Sequence, residues 1–404
     1  MQKKLIAVAV GGALAAIGSA PVLAQNATVN IFGTFYGEFA RIDNGAKSAT
    51  EPYQSYDHVQ IPGSQIGFRG EEKLGGGLSA WFQCTSSIDW RGNNNQTNDN
   101  AVSNNYWCSR DSALGLKGGF GNVFYGNWGT PWKNVNSRGN VGANDTGVFG
   151  TAHLIAGTSS TFGVSAPAGV GAGTDNRVSP GVFRRRQASL LTYETPSFGG
   201  FKAMGAVTTR NFASRATAAQ LKTRLWSIGA QYANGPIFVG AAYEKHSDFW
   251  NIGTAAAPIG GDDKGWTVAA AYTFPNKLKI GGTVQQMKEE QVQNRETKIT
   301  TWHVGLDWMI AGPHGVRAAY TRAGDVKGIS GTPHNARPDA NPNTGASMWQ
   351  IRYVYALSKR TEFTAGYSRT NNKANATYET GGARSVQFAG SDSSALAVAI
   401  RHSF

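Results

Sequence analysis

The chain has 404 residues, 40% hydrophobic and 16% charged, with 38 Lys+Arg against 25 Asp+Glu and a formal charge of +13. Its mean hydropathy of -0.33 and its lack of repeated apolar runs of about 20 residues exclude a bundle of membrane helices. The 52 glycines are nearly twice the usual share of about 7%, and no stretch has the composition of a disordered chain, so many short strands and turns are expected.

The single long apolar run is N-terminal, where Lys3 and Lys4 precede Leu5 to Ala20 and Val22-Leu23-Ala24 closes the segment. This predicts a secretory signal peptide over residues 1–24, cut before Gln25, since a transmembrane anchor needs a longer core. Losing Lys3 and Lys4 lowers the charge of the mature chain, residues 25–404, from +13 to +11.

Period-two alternation then recurs along the chain, which predicts an all-β protein. Val29, Ile31, Phe35 and Phe39 share one face of the first run, with Asn30, Thr34 and Glu38 on the other. Trp266 to Phe274, Trp302 to Trp308, Trp349 to Leu357 and Leu396 to Phe404 repeat the pattern. About sixteen such runs are predicted, at 28–41, 56–72, 77–89, 105–118, 120–128, 184–195, 199–212, 222–233, 236–246, 264–274, 277–289, 296–310, 315–325, 346–358, 360–372 and 394–404. Short connections such as Gly75-Gly76, Gly118-Gly119, Asn234-Gly235 and Pro275-Asn276 interleave with longer polar ones. An up-and-down antiparallel barrel in a bilayer produces this rhythm, because alternate connections emerge on opposite sides.

A soluble barrel would also have two-faced strands. Tyr193, Tyr232, Tyr243, Tyr272, Trp266, Trp308, Tyr353 and Tyr367, placed on the apolar face near strand ends, favour the bilayer reading, as girdles at the two headgroup layers. Sixteen strands enclose a lumen too wide for side chains to fill, so a water-filled outer-membrane pore is expected.

Three segments carry a family resemblance: Ser64-Gln65-Ile66-Gly67-Phe68-Arg69-Gly70-Glu71, Ser109 to Lys117 followed by Phe120 to Gly126, and the terminal strand ending in Phe404. In order, they resemble the general diffusion porins of Gram-negative bacteria, β-proteobacterial type, which are trimeric 16-stranded barrels. The resemblance implies that the third long connection, here about 129–183, folds inward and narrows the channel. The alternative is an external cap. Family porins set loop acids against a wall ladder of arginines, which implies Arg69, Arg110 and Arg186 on the wall and Asp145 as the acid. Gln65 stands where the family carries a basic residue, and Arg184 and Arg185 beside Arg186 are the candidates to compensate, with Arg184 and Arg186 inward by parity. The connection itself carries Lys133, Arg138 and Arg177 against Asp145 and Asp175, and Lys133, near its start, is the cation singled out for the constriction.

Charge in physiological salt is screened over about 8 Å, similar to the width of such an eyelet. Inward-facing Arg69, Arg110, Arg186, Lys202, Arg317, Arg352 and Arg401 are therefore expected to favour inorganic anions over cations among small hydrophilic solutes. A substrate-specific uptake channel of the same fold, for a small anionic metabolite, is the alternative.

Cys84 and Cys108 flank the second long connection. In an oxidising periplasm they read most simply as a disulfide, with two free thiols as the alternative. They and the scattered histidines offer too few ligands for a metal, and no cofactor is expected. An enzymatic barrel would need a nucleophile with a base beside it. The histidines show no such spacing, and His303 with Asp307 reads as a polar lumen pair. Basic residues are spread rather than clustered, so no nucleic-acid partner is expected. Outer-membrane lipids and lipopolysaccharide are the plausible anionic partners. The resemblance further implies a homotrimer, with Gly33, Gly37 and Leu396 allowing close packing between protomers, and it makes Phe404 the signal read by the barrel assembly machinery.

Overall fold

Alternation decides the destination of each strand residue. In β1 (Thr28–Asp43) Val29, Ile31, Phe35 and Phe39 are exposed on the outer face, while Tyr36, Glu38, Ala40 and Ile42 are buried on the inner one. The computed structural model describes residues 28–45, 55–90, 107–155, 183–208, 223–251, 260–292, 295–328, 330–331, 336–337, 343–376, 378–380 and 389–404. The expected leader, 1–24, and residues 156–182 of the third long connection lie outside them.

Sixteen long antiparallel strands close into a barrel. After β1 comes β2, in two pieces (Ser55–Gln60 and Gln65–Gly75) that both pair with β1. Pro62, without an amide donor, and Gly63, at φ +73°, interrupt it. Next come β3 (Leu78–Ser87), β4 (Ser112–Gly118), β5 (Gly121–Gly129), β6 (Arg186–Glu194), β7 (Phe201–Thr208) and β8 (Arg224–Asn234). Then follow β9 (Ile237–Asn251), β10 (Gly260–Thr273), β11 (Leu278–Val292) and β12 (Arg295–Ala311). The last four are β13 (His314–Ala323), β14 (Ala346–Ala356), β15 (Thr361–Asn372) and β16 (Ser393–Ser403). Each pairs with its sequence neighbour, and β16 closes on β1 in register from Thr34↔Ser403 to Asp43↔Ser394. The tight turns gather at one end. At Gly76-Gly77 both residues have positive φ (+59° and +79°), the twist that two-residue hairpins need.

Among the described residues of the run expected at 105–118, the strand begins at Ser112; Trp107 and Cys108 form a turn, with Cys108 at φ +61°, and the Arg110 amide donates to the Thr85 carbonyl (2.8 Å). The space above two small outer residues is already taken. A Cβ on Gly33 would lie 2.5 Å from the Phe404 ring, and one on Gly37 2.9 Å from the Trp90 ring, so both glycines seat aromatics of their own chain. Phe404 also exchanges backbone hydrogen bonds with Gly33, both 3.2 Å. Cys84 and Cys108 form the disulfide. It joins β3 to the turn before β4, with Cys84 pointing outward between Phe82 and Ser86.

Candidate functional site

The connection after β5 turns into the lumen at once. Thr130 caps helix α1 (Pro131–Gly139), accepting from the Lys133 amide (3.3 Å), and Pro131 supplies the preset φ of a first turn. Trp132, Val135 and Asn136 are buried against the inner wall of β8–β11. Asn136 donates to Gln285 (2.7 Å) and Thr267 (3.2 Å), anchoring the helix to two neutral wall residues. Trp132, Val135, Val141, Leu154 and Ile155 join Met204, Phe238, Met287, Ile299 and Met348 in one apolar cluster that occupies this side of the lumen. Leu154 and Ile155 come from a short helix, α2 (Ala152–Ile155).

Beyond α1 the backbone lies directly on the wall. A Cβ on Gly305 of β12 would sit 2.1 Å from the Val141 carbonyl oxygen, so only glycine admits the loop there. His303 donates from Nε2 to the same oxygen (2.9 Å), and its Nδ1 meets Thr321 Oγ1 at 2.8 Å. It is thus a loop anchor and not the expected partner of Asp307, which binds Arg317 (2.8 Å) instead. Arg352 donates to the Gly142 carbonyl (2.8 Å) and to Asn144 (2.9 Å). The tip is tied down by Gln350 and Ser368, which donate to the carbonyls of Phe149 (3.0 Å) and Val148 (2.7 Å). Glu38 accepts from the Val148 amide (2.9 Å) and from the Tyr36 hydroxyl (2.6 Å).

What stays open is a cavity of about 350 Å³ between the loop tip (143–146) and the wall, lined by Tyr36, Gln65, Arg110, Arg317, Arg352, Glu362 and Arg401. Asp145 projects into it, paired with Arg184 and 3.9 Å from Lys133 Nζ. Half of the Asp145 side chain is exposed (49%). Burial alone would raise its carboxyl; Arg184, Lys133, Arg186 and Arg110 outweigh that and hold it below the usual carboxylate range. Burial, and then Arg186, push the Lys133 ammonium down to about 8 against the pull of Asp145. The same two causes push Arg110 down to about 10, which leaves it charged at neutral pH.

Of the residues singled out from the sequence, Gln65, Arg110, Lys133, Asp145 and Arg184 converge here. Arg186 lies within electrostatic reach but pairs with Asp111 (2.8 Å). Arg69 is not gathered with them. It lies four residues past Gln65 on β2, about 13 Å along the strand, and lines a separate cavity. Several expected lumen cations are tied to carboxylates: Lys202 to Glu194 (2.8 Å), and Arg317 to both Asp307 (2.8 Å) and Glu362 (2.5 Å). Arg352 is buried beneath the loop. Arg69, Arg110 and Arg401 have no carboxylate within ion-pair distance among the described residues. Sequence reasoning missed Glu38 and Tyr36 as loop anchors. Their only signal was an inward acid beside a tyrosine on a strand otherwise short of charge.

Comparison with known proteins places this geometry. A family described as Gram-negative porin matches residues 7–375. The chain is similar to outer membrane porin protein 32 of Delftia acidovorans, 28% identical over 416 residues that cover 100% of both chains. It is also similar to major outer membrane protein P.IB of Neisseria gonorrhoeae, 26% identical over 69% of this chain and 66% of that protein. Among solved structures it resembles an anion-selective porin from Comamonas acidovorans, with a TM-score of 0.67 and 23% identity over 94% of this chain and 100% of that one. The trimer form of in-vitro folded OmpT from Vibrio cholerae follows the same fold, with a TM-score of 0.59 and 13% identity over 94% and 100%.

Proposed function

The chain belongs to the Gram-negative porin family, and from that premise we propose that this outer-membrane β-barrel passes small hydrophilic solutes passively, with a preference for inorganic anions. The observation that carries the preference is the charge balance of the open cavity. Four arginines line it against Asp145 and Glu362, and these two acids are already bound to Arg184 and Arg317. Arg110 and Arg401 are left to attract an entering anion over a path comparable with the screening length of about 8 Å. The similarity to an anion-selective porin from Comamonas acidovorans supports this preference.

Family members are channels, and catalysis is not part of this reading: His246 and His303 are buried and engaged in the wall rather than presented to the lumen. Residues 1–24 serve as the export leader, and 129–183 as the constriction loop. The protein assembles as a homotrimer, as the OmpT trimer form suggests. Its exposed outer belt, including Leu396 (63%) and Leu114 (68%), is covered by neighbours or by lipid and lipopolysaccharide. Phe404, seated on Gly33 at the closing seam, is the feature offered to the barrel assembly machinery.

Single-channel recording of the purified protein, with uptake of sugars into swelling liposomes, tests the channel itself. Ohmic current and size-limited entry of several unrelated sugars are expected. A small current blocked by one solute class would favour a dedicated uptake channel.

A further inference from the structure

The cavity around Arg69 has a chemistry that the constriction does not. It measures about 790 Å³ and lies on the turn side of the eyelet, lined by Asn30, Arg69, Lys73, Trp81, Gln83 and Lys117 together with Glu71. Three cations face one carboxylate, and Glu71 is bound to Lys117 (2.5 Å). Arg69 and Lys73 have no ion pair among the described residues.

Two aromatic rings lie flat on this wall because glycines beneath them leave room. A Cβ on Gly115 would fall 2.7 Å from the Trp81 indole, and one on Gly67 would fall 2.5 Å from the Phe32 ring. The Arg69 guanidinium stands over Phe32, 5.2 Å from its centroid. Trp81 is fixed at its edge: Nε1 donates to Asn122 (2.8 Å), and Asn122 donates to Glu194 (3.3 Å), which Lys202 holds at 2.8 Å. Phe124 and Trp128 brace the indole edge-on at 5.3 and 5.8 Å. One indole face therefore rests on Gly115, and the other borders the cavity. Trp81 stands opposite Glu71 in the register, diagonal to both Arg69 and Lys73, and such diagonal neighbours lie about 7–8 Å apart.

We propose that this second cavity is a subsite for planar aromatic carboxylates, with the ring stacked on Trp81 and the carboxylate held by Arg69 and Lys73. The inference rests on the channel reading and adds a solute class to it. A fixed, glycine-seated indole beside unpaired cations rewards a flat anionic ring over an aliphatic acid of equal charge, because stacking adds to an attraction that both share.

The test is block of chloride current in planar bilayers by benzoate, cyclohexanecarboxylate and acetate, added in turn to the side bearing the short turns. Benzoate should half-block at a concentration roughly five-fold lower than acetate, the ratio that about 1 kcal/mol of stacking produces, with cyclohexanecarboxylate nearer acetate. Trp81→Leu should bring benzoate and acetate together, Trp81→Phe should keep part of the preference, and Arg69→Gln should weaken all three acids alike. Equal block by benzoate and acetate in the unaltered channel, with chloride current intact, would overturn the subsite and leave the channel standing. Absence of chloride current would overturn both.

Discussion

Along β8–β12 the inner wall is mostly neutral or small, with Ser227, Thr267, Gln285, Thr301 and Gly305, and the long loop lies on it and fills that side. From β13 through β16 to β1 and β2 the wall carries Arg317, Arg352, Glu362, Arg401 and Gln65, and a cavity remains. Covering a charged wall with an apolar helix would strand charges away from water, at a cost of several kcal/mol each, so the helix settles where the wall offers amides, hydroxyls and glycines. The inner face thus has two grades. Only the charged one reports where solutes pass. The exception is at the far end of β9–β11, where Glu244, Asp263 and Glu289 are buried, but there the loop brings its own cation, Arg185, to Glu244 and Asp263.

The sharpest way to break the distinction is to roughen the covered wall. Gly305→Val would drive a side chain into the Val141 carbonyl, 2.1 Å from the Cβ position. Overpacking of this kind costs about 1–3 kcal/mol. Lower thermal stability in detergent and a larger single-channel conductance are expected, whereas Gly205→Ala, whose Cβ would meet nothing within 4 Å, should change neither.

Next in size is the loop anchor on the open side. Glu38→Ala leaves the Val148 amide and the Tyr36 hydroxyl without their acceptor, a loss of about 1–3 kcal/mol. The tip should loosen, seen as excess open-channel noise and sub-states. A quiet channel would show that Gln350 and Ser368 hold it without Glu38.

The smallest effect is a titration. Lys133 is charged below about 8 and neutral above it, so the passage loses one positive charge as pH rises from 7 to 9. Anion preference should fall over that interval and stay unaffected by this group below pH 7. Lys133→Met should sit at the high-pH value throughout, and a persisting pH response in that variant would assign it to another group.

Much of the barrel was legible because period-two alternation is a direct record of inside and outside. The structure places a strand at each predicted run, although the run expected unbroken at 56–72 is split at Pro62-Gly63 into the two pieces of β2. Parity is silent, however, on what lies over an inward residue. Arg352 and Arg401 share the same signature in sequence and both border the cavity, yet Arg352 is buried with its guanidinium on the loop backbone while Arg401 is exposed. Arg69 and Gln65 share a face, and only strand rise separates them into different cavities. The anchors of the loop are long-range hydrogen bonds, such as Ser368 to Val148, which leave no local pattern in the chain.

The central claim, an open side whose unpaired arginines set the selectivity, is tested most directly by the reversal potential across a potassium chloride gradient at neutral pH. Wild type and the double variant Arg110→Gln/Arg401→Gln should be measured side by side. The account predicts anion preference in the wild type and a clear drop in the variant. Cation preference in the wild type, or an unchanged potential in the double variant, would contradict it.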